Sequence, residues 1–301
     1  MNTIAKLQIV IATAMLMILA GSAAFGAEPP RNIAATPHNL SFTSPGGYYK
    51  STGSVKEICV FCHTPHNATI NRALWNRSMP ELGVGASYHM YTTGVNLTQV
   101  TKGVNKPSDE SLMCLSCHDG RFAVNVVHRT KMTTGAWQDP GTGLYQLELQ
   151  GYYDDGSQGF VSGLPLPDGH RMGTAGPEPY GNPNLPNLGA IRVWNPDGTP
   201  GDTGSLDTQF EGTEFGDDHP ISMSYSDVWT ERNAGLVDPT NTTRLAQIKF
   251  YGGTKMRVEC GSCHDPHVAY GYNGGPGDAD FAPFLRKSNV GSELCLSCHD
   301  K

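Results

Sequence analysis

Charge is scarce in this sequence: Asp, Glu, Lys and Arg make up 16 % of its 301 residues, against about 25 % in ordinary soluble proteins. The charge present leans acidic, with 21 Lys and Arg against 28 Asp and Glu for a net -7, so the basic footprint of a nucleic-acid binder is missing. The heptads and the A/E/K/L/R excess of a long coiled coil are missing too. Beyond the first residues no apolar run approaches the roughly 20 residues that a bilayer-spanning helix needs. Aliphatic residues are sparse, whereas Gly (36) and Pro (21) are plentiful, and such a chain does not readily build an ordinary core. It nevertheless carries 4 Trp, 12 Tyr and 10 Phe, which need burial and argue against disorder. Something other than aliphatic side chains has to fill the interior.

The first residues read as an export signal. Lys6 supplies a positive start, Ile9 to Ala20 is apolar and uncharged, and Ala24-Phe25-Gly26 offers small residues for cleavage. Residues 1–26 are therefore expected to be a signal peptide. The apolar run is too short for a membrane anchor, and Ser22 stands where a lipoprotein signal carries cysteine. Cleavage removes Lys6 and leaves a slightly more acidic chain, expected to be secreted or on the cell surface after passing through the periplasm, without a membrane span.

An exported chain with 8 cysteines would ordinarily be read as a disulfide framework. The spacing points elsewhere. The cysteines fall into C-x-x-C pairs with none left over: Cys59 and Cys62, Cys114 and Cys117, Cys260 and Cys263, Cys295 and Cys298. Each pair is followed directly by histidine, at His63, His118, His264 and His299. C-x-x-C-H is the attachment site of c-type haem. Residues three apart on a helical turn share a face, so both thiols can add to the vinyl groups at one porphyrin edge while the following imidazole reaches the iron. Paired C-x-x-C also suits zinc or redox-active disulfides, but neither needs the adjacent histidines. Four haem c groups are expected, with the eight cysteines as thioethers and these four histidines as proximal iron ligands.

Each iron has a second axial position. His38, His66, His219 and His267 sit in repeated contexts and are the distal candidates. His66 and His267 each follow an attachment histidine by three residues, in Cys62-His63-Thr64-Pro65-His66 and Cys263-His264-Asp265-Pro266-His267. His38 and His219 open His-Asn-Leu-Ser and His-Pro-Ile-Ser. The chain thus reads as a duplication, each unit holding two attachment sites and two extra histidines. His66 cannot serve the haem of His63, because axial ligands approach iron from opposite faces whereas residues three apart in a turn are neighbours. The same reasoning bars His267 from the haem of His264. His89, His128 and His170 lack a repeated context and read as ordinary histidines.

The expected fold is a multihaem cytochrome c, mostly coil, with short helices at the haem motifs and around Asp227–Gly235, and few strands. Two duplicated dihaem modules, 27–139 and 216–301, flank a Gly/Pro-rich insertion at 140–215. Strands are expected in the insertion near Gln146–Tyr153 and Ile191–Trp194. Its Asp and carbonyl oxygens suit Ca²⁺, although no D-x-D-x-D-G loop with a closing Glu is present.

The runs CVFCHTPHN, CLSCHDG, HPIS, CGSCHDPH and SELCLSCHDK resemble the tetrahaem extracellular cytochromes of metal-reducing bacteria, which polymerise into nanowires. The resemblance covers roughly 36–125 and 215–301. It implies bis-histidine haems stacked along a homopolymer, exchange with partner cytochromes and extracellular acceptors, and one distal histidine donated by a neighbouring subunit. His38, on a Pro-flanked N-terminal arm, is the expected donor, although it could close a haem in its own chain. A monomeric periplasmic shuttle and a multihaem reductase are the alternatives. A reductase needs an open iron with acid–base groups beside it, which four regular motifs and a complete distal set do not offer. No catalytic residues are therefore assigned.

Overall fold

A computed structural model describes residues 28–45, 49–51, 55–66, 68, 73–77, 87–88, 90–91, 97–118, 126–128, 136–138, 145–147, 150–151, 193–194, 219–232 and 235–300. The expected signal at 1–26, most of the 140–215 insertion with its Ca²⁺ site, and His89 and His170 lie outside them.

Regular structure is short throughout. The helices are α1 (Gln99–Lys102), α2 (Asp109–His118), α3 (Tyr225–Arg232), α4 (Cys260–Cys263) and α5 (Glu293–Cys298), and the first attachment motif opens a 3-10 turn at Cys59–Phe61. Local chemistry starts and stops them. The Thr98 hydroxyl accepts from Thr101 N at the start of α1, and Asp109 and Glu110 place negative charge in the first turn of α2. Glu259 and Ser262 form a reciprocal capping box on α4.

The strands are ribbons of two or three residues. Antiparallel pairs join β1 (Tyr49–Lys50) to β6 (Gln150–Gly151), β2 (Ser87–Tyr88) to β7 (Val193–Trp194), and β8 (Met223–Ser224) to β9 (Arg257–Val258). In the one three-stranded sheet among the described residues, β5 (Tyr145–Leu147) lies between β3 (Val126–Val127) and β4 (Ala136–Gln138). No helix among the described residues is long and apolar enough to cross a membrane.

Apolar burial is divided among small clusters. Val55, Phe61, Val127 and Leu147 form one, with Cys62 and Cys117 against it. Met90, Tyr91 and Leu115 form a second. Met223, Tyr225, Val228, Val237, Leu245 and Val258 form the third, with Cys298 on its border. Attachment cysteines thus edge two of the three, as the sparse aliphatic content suggested.

The duplication extends to the backbone. After the first motif of each unit the chain returns antiparallel: Thr64 N donates to Leu74 O and Asn76 N to Cys62 O, while Asp265 N donates to Phe284 O and Arg286 N to Cys263 O. The units are also interlaced. The N-terminal arm lies on the second unit, where Asn32 N donates to His267 O and Ala269 N to Pro30 O.

A buried polar node ties α2 to α4. The Glu259 carboxylate accepts from Ser111 Oγ at 2.6 Å and Ser222 Oγ at 2.8 Å, and pairs with Arg257 Nε at 3.2 Å. Arg257 also reaches Glu110 at 3.4 Å, and Ser111 Oγ accepts from Cys260 N. Glu259 is 1 % exposed, so removing its carboxylate takes the acceptor from the Ser111 and Ser222 hydroxyls and leaves Arg257 to Glu110. Glu259→Ala is expected to cost about 2 kcal/mol, measured by denaturant unfolding of the intact protein.

Candidate functional site

The attachment motifs are held in two ways. The first motif of each unit is fixed through its histidine: Nδ1 of His63 bonds to Ala73 O, and Nδ1 of His264 to Pro283 O at 2.9 Å. Occupying Nδ1 with a carbonyl leaves Nε2 as the lone-pair donor. The second motif of each unit ends a helix whose last carbonyls are capped by arginine. Arg77 Nη2 donates to Ser116 O at 2.9 Å beneath Cys117 and His118. Arg244 donates to Leu296 O and to His299 O, the latter at 2.7 Å, beneath Cys298 and His299. A cation at a helix C-terminus satisfies orphan carbonyls and complements the dipole.

None of the eight cysteines forms a disulfide, and they adjoin one another in sequence order. Burial pushes Cys62 up to about 12, with Cys117 adding to the shift. The Cys114 thiol shares a hydrogen bond with Cys260, which together with burial raises Cys114. Burial raises Cys263, with Cys295 the next contributor, and pushes Cys298 up to about 12, with Cys263 next. The first motif therefore neighbours the second, the second the third, and the third the fourth.

The histidines meet in pairs. Ring centroids are 6.0 Å apart for His38 and His118, with planes crossed at 87°. They are 6.3 Å apart for His63 and His267, with planes 13° from parallel. They are 6.2 Å apart for His219 and His299, crossed at 81°. Each pair joins one attachment histidine to one of the other repeated histidines. These distances lie within the range of ordinary aromatic pairs, and they also match a specific arrangement. Two imidazoles bound on opposite sides of one metal ion, each with a bond of about 2 Å and about 1.1 Å from nitrogen to ring centre, have centroids about 6.2 Å apart. Among the described residues no group of three or more His, Cys, Asp or Glu converges as a metal site.

His38 lies on an arm docked on its own chain, its ring stacks on Phe284 at 4.3 Å, and Nδ1 faces Pro266 O at 3.4 Å. Burial, then the neighbouring His118, pushes its pKa down to about 3, so the imidazole beside His118 is neutral. His219, exposed, sets Nδ1 against Pro220 O at 3.1 Å.

His267 differs in its support, with Nδ1 2.8 Å from the Asp265 carboxylate. Burial opposes ionisation of Asp265, but the hydrogen bonds from His267 and the charge of Arg286 outweigh it and hold the carboxyl well below the usual range. This partner was missed in the sequence, where the difference between His-Asp-Pro-His and His-Thr-Pro-His was its signal.

His66 and His264 are both exposed, and among the described residues no imidazole faces either at the paired spacing. His128 donates its backbone N–H to Asn76 O and joins none of the three pairs.

No family model matches the chain, and no curated protein matches it.

Arg77 is 2 % exposed, and its guanidinium bonds are charge-assisted. Arg77→Ala is expected to cost about 2 kcal/mol and to loosen the Cys117–His118 turn. Thermal unfolding should show a lowered midpoint, and limited proteolysis should show faster cleavage near that turn.

Proposed function

We propose that this protein carries electrons outside the cytoplasm through four covalently bound c-type haems, as a subunit of a polymer. The observation that carries the reading is the set of three histidine pairs at 6.0, 6.3 and 6.2 Å, each joining a C-x-x-C-H histidine to a second imidazole. Cys59 and Cys62 would hold the first haem, with His63 and His267 as iron ligands. Cys114 and Cys117 would hold the second, with His118 and His38. Cys260 and Cys263 would hold the third, with His264, and Cys295 and Cys298 the fourth, with His299 and His219. Bound haem iron would supply a reversible one-electron couple, and two imidazole ligands would favour electron transfer over substrate chemistry. The protein orients His38, His63, His219, His264 and His267 through Nδ1 and keeps His38 neutral. The thiol neighbours give a linear path in sequence order, to be loaded by partner cytochromes and emptied into extracellular acceptors.

Polymerisation follows from the pairing register. In the first unit, His63 is met by His267, the x-P-H histidine of the second unit. Carried one unit further, His264 is met by the x-P-H histidine of the unit after it. After the second unit comes the first unit of another copy, and that histidine is His66. Both His66 and His264 are exposed, as this requires. A head-to-tail contact that repeats without closing generates a filament. In this register His66 is the donated ligand.

A pyridine haemochrome assay on the purified holoprotein should return four haems per chain, and two or fewer would contradict the assignment. His66→Ala should abolish filaments in electron micrographs and convert one haem per chain to high spin. Filaments that persist with every haem low-spin would exclude His66 as the donor.

A further inference from the structure

The two x-P-H segments have diverged at one position, and the difference is electrostatic. In the second unit Asp265 precedes His267 by two residues, is 4 % exposed, and presents Oδ1 to His267 Nδ1 at 2.8 Å. Its backbone contact is equally local, His267 N donating to Oδ1 at 3.1 Å. The other oxygen is turned to cations, with Arg286 at 3.1 Å and Arg31 at 3.6 Å. In the first unit the same position is Thr64, whose hydroxyl donates to His66 O at 2.9 Å and brings no charge. Other histidines with a bonded Nδ1 use neutral backbone carbonyls: Ala73 for His63, Pro283 for His264 and Pro220 for His219.

A carboxylate accepting from Nδ1–H pulls the imidazole towards imidazolate and raises its basicity as a ligand. A more basic axial ligand favours the ferric state, and a buried negative charge beside the iron acts in the same direction. We infer that Asp265 is a positioning residue that acts through His267 to hold the haem of His63 and His267 at the low-potential end of the chain. Arg286 and Arg31 anchor Oδ2 and leave Oδ1 to the imidazole, so the aspartate is fixed in place while its hydrogen bond to His267 stays intact. The inference rests on the bis-histidine reading above and adds a direction to the path: electrons drain away from the first haem towards those whose ligands lean on carbonyls.

The test is a potentiometric titration of the holoprotein followed by electron paramagnetic resonance. The first haem is recognisable because its ligand planes are near parallel, which gives a rhombic low-spin signal, whereas crossed planes give a strongly anisotropic one. In the wild type the rhombic signal should persist to lower potential than the signals of the crossed pairs. In Asp265→Asn its oxidation should become at least tenfold less favourable, a rise of about 59 mV for one electron, with the other haems unmoved. A rhombic signal that disappears first in the wild type, or that Asp265→Asn leaves in place, overturns the inference while the four haems stand. If the variant does not fold, the wild-type order alone decides. Absence of low-spin signals altogether would instead sink the haem reading.

Discussion

One geometric feature organises the described site: in three histidine pairs the ring centroids lie 6.0, 6.3 and 6.2 Å apart. Several of these imidazoles are held from behind. His63 and His264 are held through Nδ1 by carbonyls on the returning strand, His38 by a ring stack and Pro266, and His267 by Asp265. Two of the three small apolar clusters brace the edges of the motifs.

Coupling between neighbouring motifs is achieved by side chains with little other purpose. The Glu259 node joins the helix carrying Cys114 to the turn carrying Cys260 through two serines and one arginine. A buried carboxylate costs desolvation unless every oxygen is satisfied, and here it is, so the node fixes spacing without a large apolar interface. The N-terminal arm performs the same service between units by pairing with the backbone around His267.

The candidate residues were legible because their patterns are local. C-x-x-C-H spans five residues, and the repeated x-P-H and His-x-x-Ser contexts singled out His38, His66, His219 and His267. Their pairing was not legible. His63 meets His267 through an arm whose docking rests on two backbone hydrogen bonds, which leave no periodic trace in the sequence. The contacts of Phe284 and Pro266 with His38 were equally invisible in the sequence. The expected helix near Asp227 overlaps α3, and the extended stretches expected in the insertion overlap β5, β6 and β7, since turn residues and aromatic or β-branched runs are local signals. Nothing local marks Glu259, beside Cys-Gly-Ser-Cys; its burial depends on Ser111 and Ser222, far away in the chain.

The most direct test of the account is the low-temperature electron paramagnetic resonance spectrum of the fully oxidised holoprotein. Crossed imidazole planes leave two iron d orbitals nearly degenerate and produce a strongly anisotropic low-spin signal, whereas parallel planes split them and produce a rhombic one. With planes at 87° and 81° in two pairs and 13° in the third, the account predicts both kinds of low-spin signal, in about a two-to-one ratio among the three pairs. A spectrum dominated by high-spin iron, or one without the strongly anisotropic component, would contradict it.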